Sequence, residues 1–175
     1  MIRLLQNPKT KEYQHFKSFI LSPKFNWFRF QSTLIDSSNT FDSFFGHTIL
    51  AAPNVPDSNQ YRPRYSKSNS PYIDNCEYVI NQIIEFNNLD VSYILRINVN
   101  LTYPIPGVEQ GPPHVDHPFP HKNMLIYLTD AEGETVVGNE SHNPREDDII
   151  IFGGEKHFHY YPQQKNRIVL VVTYV

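Results

Sequence analysis

Residues 91–102 read VSYILRINVNLT, and within them Leu95, Ile97, Val99 and Leu101 alternate with Arg96, Asn98, Asn100 and Thr102. Neighbouring side chains on a strand point to opposite faces, so this period of two predicts a strand with one apolar, buried face. Further strands are predicted at Asn123 to Thr129 (NMLIYLT), Glu134 to Val137, Asp148 to Phe152 and Arg167 to Tyr174 (RIVLVVTY). Between them lie YPIPG, DAEGE, NPRED and YPQQKN, segments rich in turn residues. Short strands at such close spacing predict a sandwich or a small barrel. The 14 prolines, 12 phenylalanines and 11 tyrosines lean the same way.

The first half reads differently. Tyr13, Phe16 and Ile20 recur at helical spacing within residues 9–22, with Phe19 beside them and Pro23 as the stop. Ile73, Cys76, Ile80, Ile83 and Ile84 mark a second amphipathic helix over residues 72–89. Between them, Phe25, Trp27, Phe28 and Phe30 form an aromatic stretch suited to an early strand or a lid. Residues 53–71, rich in Pro, Ser and Asn, read as a long loop that could wall a substrate. The expected organisation is one domain over residues 1–175. Residues 91–175 make the core, and residues 1–90 pack on it as helices, aromatic segment and loop.

Composition narrows the function. A chain of 175 residues with 39% hydrophobic and 19% charged residues can bury a core. A formal net charge of -3 gives no electrostatic footprint for nucleic acid or a membrane surface. No apolar run reaches the roughly 18 residues of a membrane span, and the N-terminal residues do not resemble a signal peptide. The single cysteine, Cys76, excludes an intrachain disulfide and a thiolate metal cluster. A cytoplasmic location is expected.

Six of the eight histidines (His114, His117, His121, His142, His157 and His159) fall within residues 114–159. His114 and Asp116 are two apart, so on extended backbone they share a face. With a third ligand from a distant strand they would cap one side of a metal ion and leave the other open. That is the 2-His-1-carboxylate arrangement of non-heme Fe(II) oxygenases. Arg167 opens the final apolar strand on the face of Val169, Val171 and Thr173. Two placements follow: inside a cavity, where only an anion makes a guanidinium affordable, or at the strand entrance, extended to solvent.

The ordered set His114-Val-Asp116, Tyr127-Leu-Thr, Gly133-Glu-Thr-Val, Asp148-Ile-Ile-Ile-Phe, His157 and Arg167 resembles the 2-oxoglutarate/Fe(II)-dependent dioxygenases. The likeness is greatest to the small prolyl-4-hydroxylase-like members, including those carried by marine cyanophages, which would put a phage-encoded chain in the host cytoplasm. The resemblance covers residues 91–175 and extends faintly to the N-terminal helix and PKFNWF. It implies a mainly β, α+β chain with a double-stranded β-helix (jelly-roll) core and flanking helices. The implied iron ligands are His114, Asp116 and a distal histidine. That histidine is His157 by its spacing of ten residues before the arginine, with His159 as the runner-up. Arg167 would hold the distal carboxylate of 2-oxoglutarate, and Tyr103 and Tyr127 would line its pocket. Thr129 stands where relatives carry Asn after the Tyr-Leu pair.

The implied reaction consumes Fe(II)-bound 2-oxoglutarate and O2, releases succinate and CO2, and hydroxylates an unactivated C–H bond of a small molecule or peptide. Two other readings compete. A cupin-like metal-dependent isomerase or hydrolase would need a carboxylate in cupin spacing after a His-x-His, and none follows His157-Phe-His159. A non-enzymatic jelly-roll binding or virion protein leaves the ordered triad and Arg167 without a role. The prime substrate and the oligomeric state are not legible.

Overall fold

The computed structural model describes residues 1–30, 43–52 and 66–175. In chain order the first elements are β1 (Arg3–Leu5), α1 (Lys11–Ile20), β2 (Phe28–Phe30), β3 (Phe44–Ala51), β4 (Lys67–Ser68) and α2 (Ile73–Phe86). They are followed by β5 (Ile94–Thr102), β6 (Lys122–Tyr127), β7 (Thr135–Val137), β8 (Glu140–His142), β9 (Ile149–Gly153), β10 (His157–His159) and β11 (Arg167–Tyr174). Among the described residues, eight strands form one antiparallel sheet in the order β1-β9-β6-β11-β5-β3-β2, with β4 paired to β3. A smaller antiparallel sheet runs β10-β7-β8. The two sheets form a double-stranded β-helix with two helices on its outer face.

Period two explains the layering. Ile97 and Val99 of β5, Met124 and Ile126 of β6, and Leu170 and Val172 of β11 share the outer face. There they pack against Tyr13, Phe16 and Ile20 of α1 and Cys76, Val79, Ile80 and Ile83 of α2. The alternate residues Leu125, Tyr127, Ile150, Val169 and Val171 face inward and meet Val137 of the smaller sheet. Because β11 is covered on both sides, all eight of its residues are buried. Thr10 caps α1, its Oγ1 accepting from Tyr13 N at 3.2 Å.

One expectation needs correction. Residues 91–175 do not make the core alone, because β3 pairs along β5 from Phe45↔Leu101 to Leu50↔Ile97 and β1 edges the sheet on β9. The polar face of β5 turns into the space between the sheets, where Arg96, Asn100 and Thr102 line a cavity. Of the expected loop, residues 53–65 lie outside the described residues, whereas Lys67–Ser68 form β4.

One polar contact ties α1 to the loop before β9. Lys17 is buried and donates to both Glu146 and Asp147, and Tyr13 Oη donates to Asp147 Oδ1 at 2.7 Å. Burial alone would raise the Asp147 pKa, but hydrogen bonds from Lys17, Tyr13 and Lys9 outweigh it and hold the carboxyl below its usual value. A depressed carboxyl contributes fully above the ordinary value of about 3.9 and loses that contribution as pH falls through the lowered one. Lys17→Met should therefore reduce unfolding free energy by about 2 kcal/mol at pH 7, as Asp147 loses a buried partner but retains Lys9. In urea titrations the gap between wild type and variant should narrow below about pH 4.

Candidate active site

His114 and His157 exchange both backbone hydrogen bonds, each 2.9 Å long, in an isolated antiparallel bridge. Gly111 N donates to His159 O at 2.9 Å on the same line, so residues 110–114 run alongside β10. Directly paired residues present their side chains to one face. The two imidazole rings accordingly lie 4.6 Å apart, centroid to centroid. Asp116 completes the group, with Oδ2 3.5 Å from His157 Nε2 and Oδ1 4.0 Å from His114 Nε2. One ligand atom from each of His114, Asp116 and His157 lies within 4.8 Å of the others.

Backbone carbonyls set the tautomers. His114 Nδ1 lies 2.9 Å from Pro112 O, and His157 Nδ1 lies 3.0 Å from Glu155 O. A carbonyl only accepts, so each Nδ1 carries a proton, and in the neutral ring the lone pair stands on Nε2, toward the shared space. Burial lowers the His157 pKa against the opposing pull of Asp116, which favours the neutral ligand form. Asp116 is 6% exposed in its side chain and is held ionised. Burial would raise its pKa, but Arg96 and then His157 more than offset that. Arg96 Nη2 donates to Asp116 Oδ1, whereas the buried Oδ2 has no hydrogen-bond partner among the described residues. Two imidazole nitrogens and an orphaned carboxylate oxygen on one side of a shared space fit a divalent ion such as Fe(II).

The same cavity is lined at its other end by Arg167, Thr135 and Val169. Arg167 is 4% exposed and faces inward, so the solvent-extended placement is excluded. Its Nε donates to Gly133 O at 3.1 Å, its Nη2 to Thr135 Oγ1 at 2.8 Å, and its Cζ sits 5.4 Å over the Tyr127 ring. Tyr127 Oη is 2.7 Å from the same Thr135 Oγ1. Gly133 is required here: at φ +93° a Cβ would stand 2.5 Å from Tyr160 O and 3.3 Å from Arg167 Cδ. No carboxylate among the described residues pairs with Arg167.

The remaining candidates separate from this group. Neither Tyr103 nor Tyr127 is among the residues lining the cavity: Tyr103 Oη lies 3.1 Å from Ser43 Oγ, and Tyr127 touches the lining residues Thr135 and Arg167 from behind. His159 lines the cavity but is not part of the three-residue cluster. His117 bonds Thr173 Oγ1 at 2.7 Å, and its pKa is pushed down to about 4 by burial and then by Arg96. His142 Nε2 lies 3.1 Å from Asp148 Oδ2. Arg96 is the residue that sequence reasoning missed. The available signal was a lone cation in the alternation of β5, visible only once the polar face is known to be covered.

By sequence the chain matches no protein-family model and no curated protein. By structure it is similar to a 2OG-Fe(II) oxygenase family oxidoreductase from Burkholderia pseudomallei, with a TM-score of 0.70 and 14% identity over 99% of this chain and 84% of the other. It is also similar to a Trichoplax adhaerens prolyl hydroxylase bound to a hypoxia-inducible-factor degradation-domain peptide. That match has a TM-score of 0.60 and 13% identity over 99% of this chain and 82% of that one. A third is the non-heme alpha-ketoglutarate-dependent epimerase SnoN from nogalamycin biosynthesis, with a TM-score of 0.60 and 11% identity over 99% and 77% of the two chains. These likenesses establish the shared fold.

Calorimetry with Mn(II) should detect one site per chain. Asp116→Ala should lower its affinity at least about 100-fold, because the carboxylate supplies the only anionic ligand atom. His121→Gln and His142→Gln should bind Mn(II) as wild type does.

Proposed function

We propose that the protein is a 2-oxoglutarate- and Fe(II)-dependent dioxygenase that hydroxylates an unactivated C–H bond with release of succinate and CO2. The observation that carries this reading is the buried Arg167 guanidinium, which shares a cavity with the His114, Asp116 and His157 cluster and lacks an anionic partner among the described residues. A buried cation costs free energy until an anion meets it, and a planar guanidinium matches a carboxylate in bidentate geometry. A five-carbon 2-oxo dicarboxylate has an anion for Arg167 at one end and a chelating 2-oxo acid for the metal at the other. The isomerase and hydrolase alternatives give Arg167 no such partner.

In this reading His114, Asp116 and His157 hold Fe(II), which, with 2-oxoglutarate and O2, supplies the oxidising chemistry. The chain's own work is binding, orientation and exclusion. The Nδ1 protons of both histidines, pinned by carbonyls, keep the Nε2 lone pairs aimed at one point. Arg96 keeps Asp116 ionised and occupies Oδ1, leaving Oδ2 as its ligand atom. Thr135, Tyr127 and Gly133 O fix the Arg167 fork, so little side-chain freedom is lost when the carboxylate arrives. The apolar floor of Leu125, Val169 and Val171 keeps water from the acid and strengthens the charged contact.

The prime substrate is a small molecule or a peptide segment, a class that includes the peptide held by the Trichoplax relative. No helix of the described residues is long and apolar enough to cross a membrane. The single cysteine, buried in α2 with its pKa raised by burial, fits a reducing, cytoplasmic setting.

Arg167→Ala should weaken 2-oxoglutarate binding to the Mn(II)-loaded protein roughly 100-fold, the loss for removing one partner of a desolvated charge pair. Mn(II) affinity should change little. Lys165→Ala and Lys122→Ala are the basic controls, and Arg96 is unsuitable as one because it touches Asp116. Wild type should convert 2-oxoglutarate to succinate only with Fe(II) and O2 present.

A further inference from the structure

We propose that His159 is a cosubstrate-binding residue, its Nε2 hydrogen-bonding the carboxylate oxygen of 2-oxoglutarate at the Arg167 end of the cavity. This inference rests on the cosubstrate reading above and adds to it a contact that Arg167 does not supply.

Three observations carry it. The first is register. On β10, His159 follows His157 by two residues, one same-face step of roughly 6.6 Å along the strand. Across the sheet it pairs directly with Thr135, the residue whose Oγ1 accepts from Arg167 Nη2. His159 therefore stands beyond the cluster and opposite the arginine's own anchor, against the span a bound dicarboxylate would occupy.

The second is an unmet hydrogen-bonding atom. His159 lines the cavity, and its Nε2 is shut off from solvent with no partner among the described residues. Buried polar atoms are nearly always partnered, and one left alone beside a cavity points to something that enters it. Arg167 bonds Gly133 O and Thr135, and Thr135 lies against Tyr127, so none of these reaches His159 Nε2; Asn100 Oδ1, which also lines the cavity, likewise lacks a partner among the described residues.

The third is that the ring is held from behind. Gly111 lies against it, so close that a Cβ there would stand 3.2 Å from His159 Cε1 and 3.5 Å from Nδ1. The Gly111 N to His159 O hydrogen bond of 2.9 Å fixes that approach. Glycine thus makes room for an imidazole at this point and blocks its retreat, leaving Nε2 to serve the cavity. A second donor beside a guanidinium suits a carboxylate, which accepts through two oxygens.

The test measures 2-oxoglutarate affinity by calorimetry on the full chain loaded with Mn(II), for wild type, His159→Phe and His159→Gln. Phe keeps a planar ring and removes the nitrogen, whereas the Gln amide nitrogen can reach the place of Nε2. His159→Phe should bind 2-oxoglutarate roughly tenfold or more weakly, and His159→Gln should recover most of that loss. Both should bind Mn(II) within about threefold of wild type, which also shows that β10 is intact. Wild-type 2-oxoglutarate affinity in His159→Phe would overturn the assignment and leave the cosubstrate reading standing. Parallel loss of Mn(II) and 2-oxoglutarate affinity in both variants would also overturn it, making His159 a support for β10. A wild-type protein that binds Mn(II) but not 2-oxoglutarate would defeat the cosubstrate reading, and this inference with it.

Discussion

The site depends on one short antiparallel bridge, the pair of 2.9 Å backbone hydrogen bonds between His114 and His157. These residues lie 43 positions apart in the chain, on an irregular segment and a three-residue strand. Strand β10 is anchored on its other side by β7, whereas residues 110–114 meet it through isolated bridges. Joined by the bridge and flanked by the Gly111–His159 bond, they fix two imidazoles side by side before any ion arrives. Pre-organisation of this kind lowers the entropy lost on binding. It also explains why Nδ1 of each histidine bonds a carbonyl two residues earlier: the bridge fixes the backbone and the carbonyl fixes the ring.

The rest of the interior follows from charge. Among the described residues, the charged side chains lining the cavity are Arg96, Asp116 and Arg167. Arg96 and Asp116 neutralise one another at the cluster end, while among the described residues Arg167 meets neutral acceptors at the other. The fold bears this because β11 buries its apolar residues on both faces and because Gly133, Thr135 and Tyr127 wrap the guanidinium. A cavity with a paired end and a cationic end has a direction, and a ligand with two unlike acidic ends would be oriented by it.

Much of this was legible in the sequence, for physical reasons that differ by element. Strand β11 and helix α2 were readable because their apolar periods are uninterrupted. Strand β3 was not, because its register shifts between Thr48 and Leu50 and breaks the period of two. Strands β8 and β10, three residues each and partly polar, carry no period at all. His114 and Asp116 were visible as a same-face pair, and Arg167 as an anomalous charge at the start of an apolar run. Resemblance places Tyr103 and Tyr127 in the pocket lining, yet the Tyr103 hydroxyl lies beside Ser43 and Tyr127 stands behind Thr135 and Arg167. Arg96 was hidden because alternation reveals two faces without revealing what covers the polar one.

In the proposed function one dicarboxylate spans the cavity from the cluster to Arg167. The most direct measurement is a crystal structure of the chain grown with Mn(II) and 2-oxoglutarate under anaerobic conditions, with anomalous scattering to locate the ion. The expected result is one ion within bonding distance of His114 Nε2, Asp116 Oδ2 and His157 Nε2, and the distal carboxylate on Arg167. An ion held elsewhere, or a 2-oxoglutarate molecule bound away from Arg167, would contradict it.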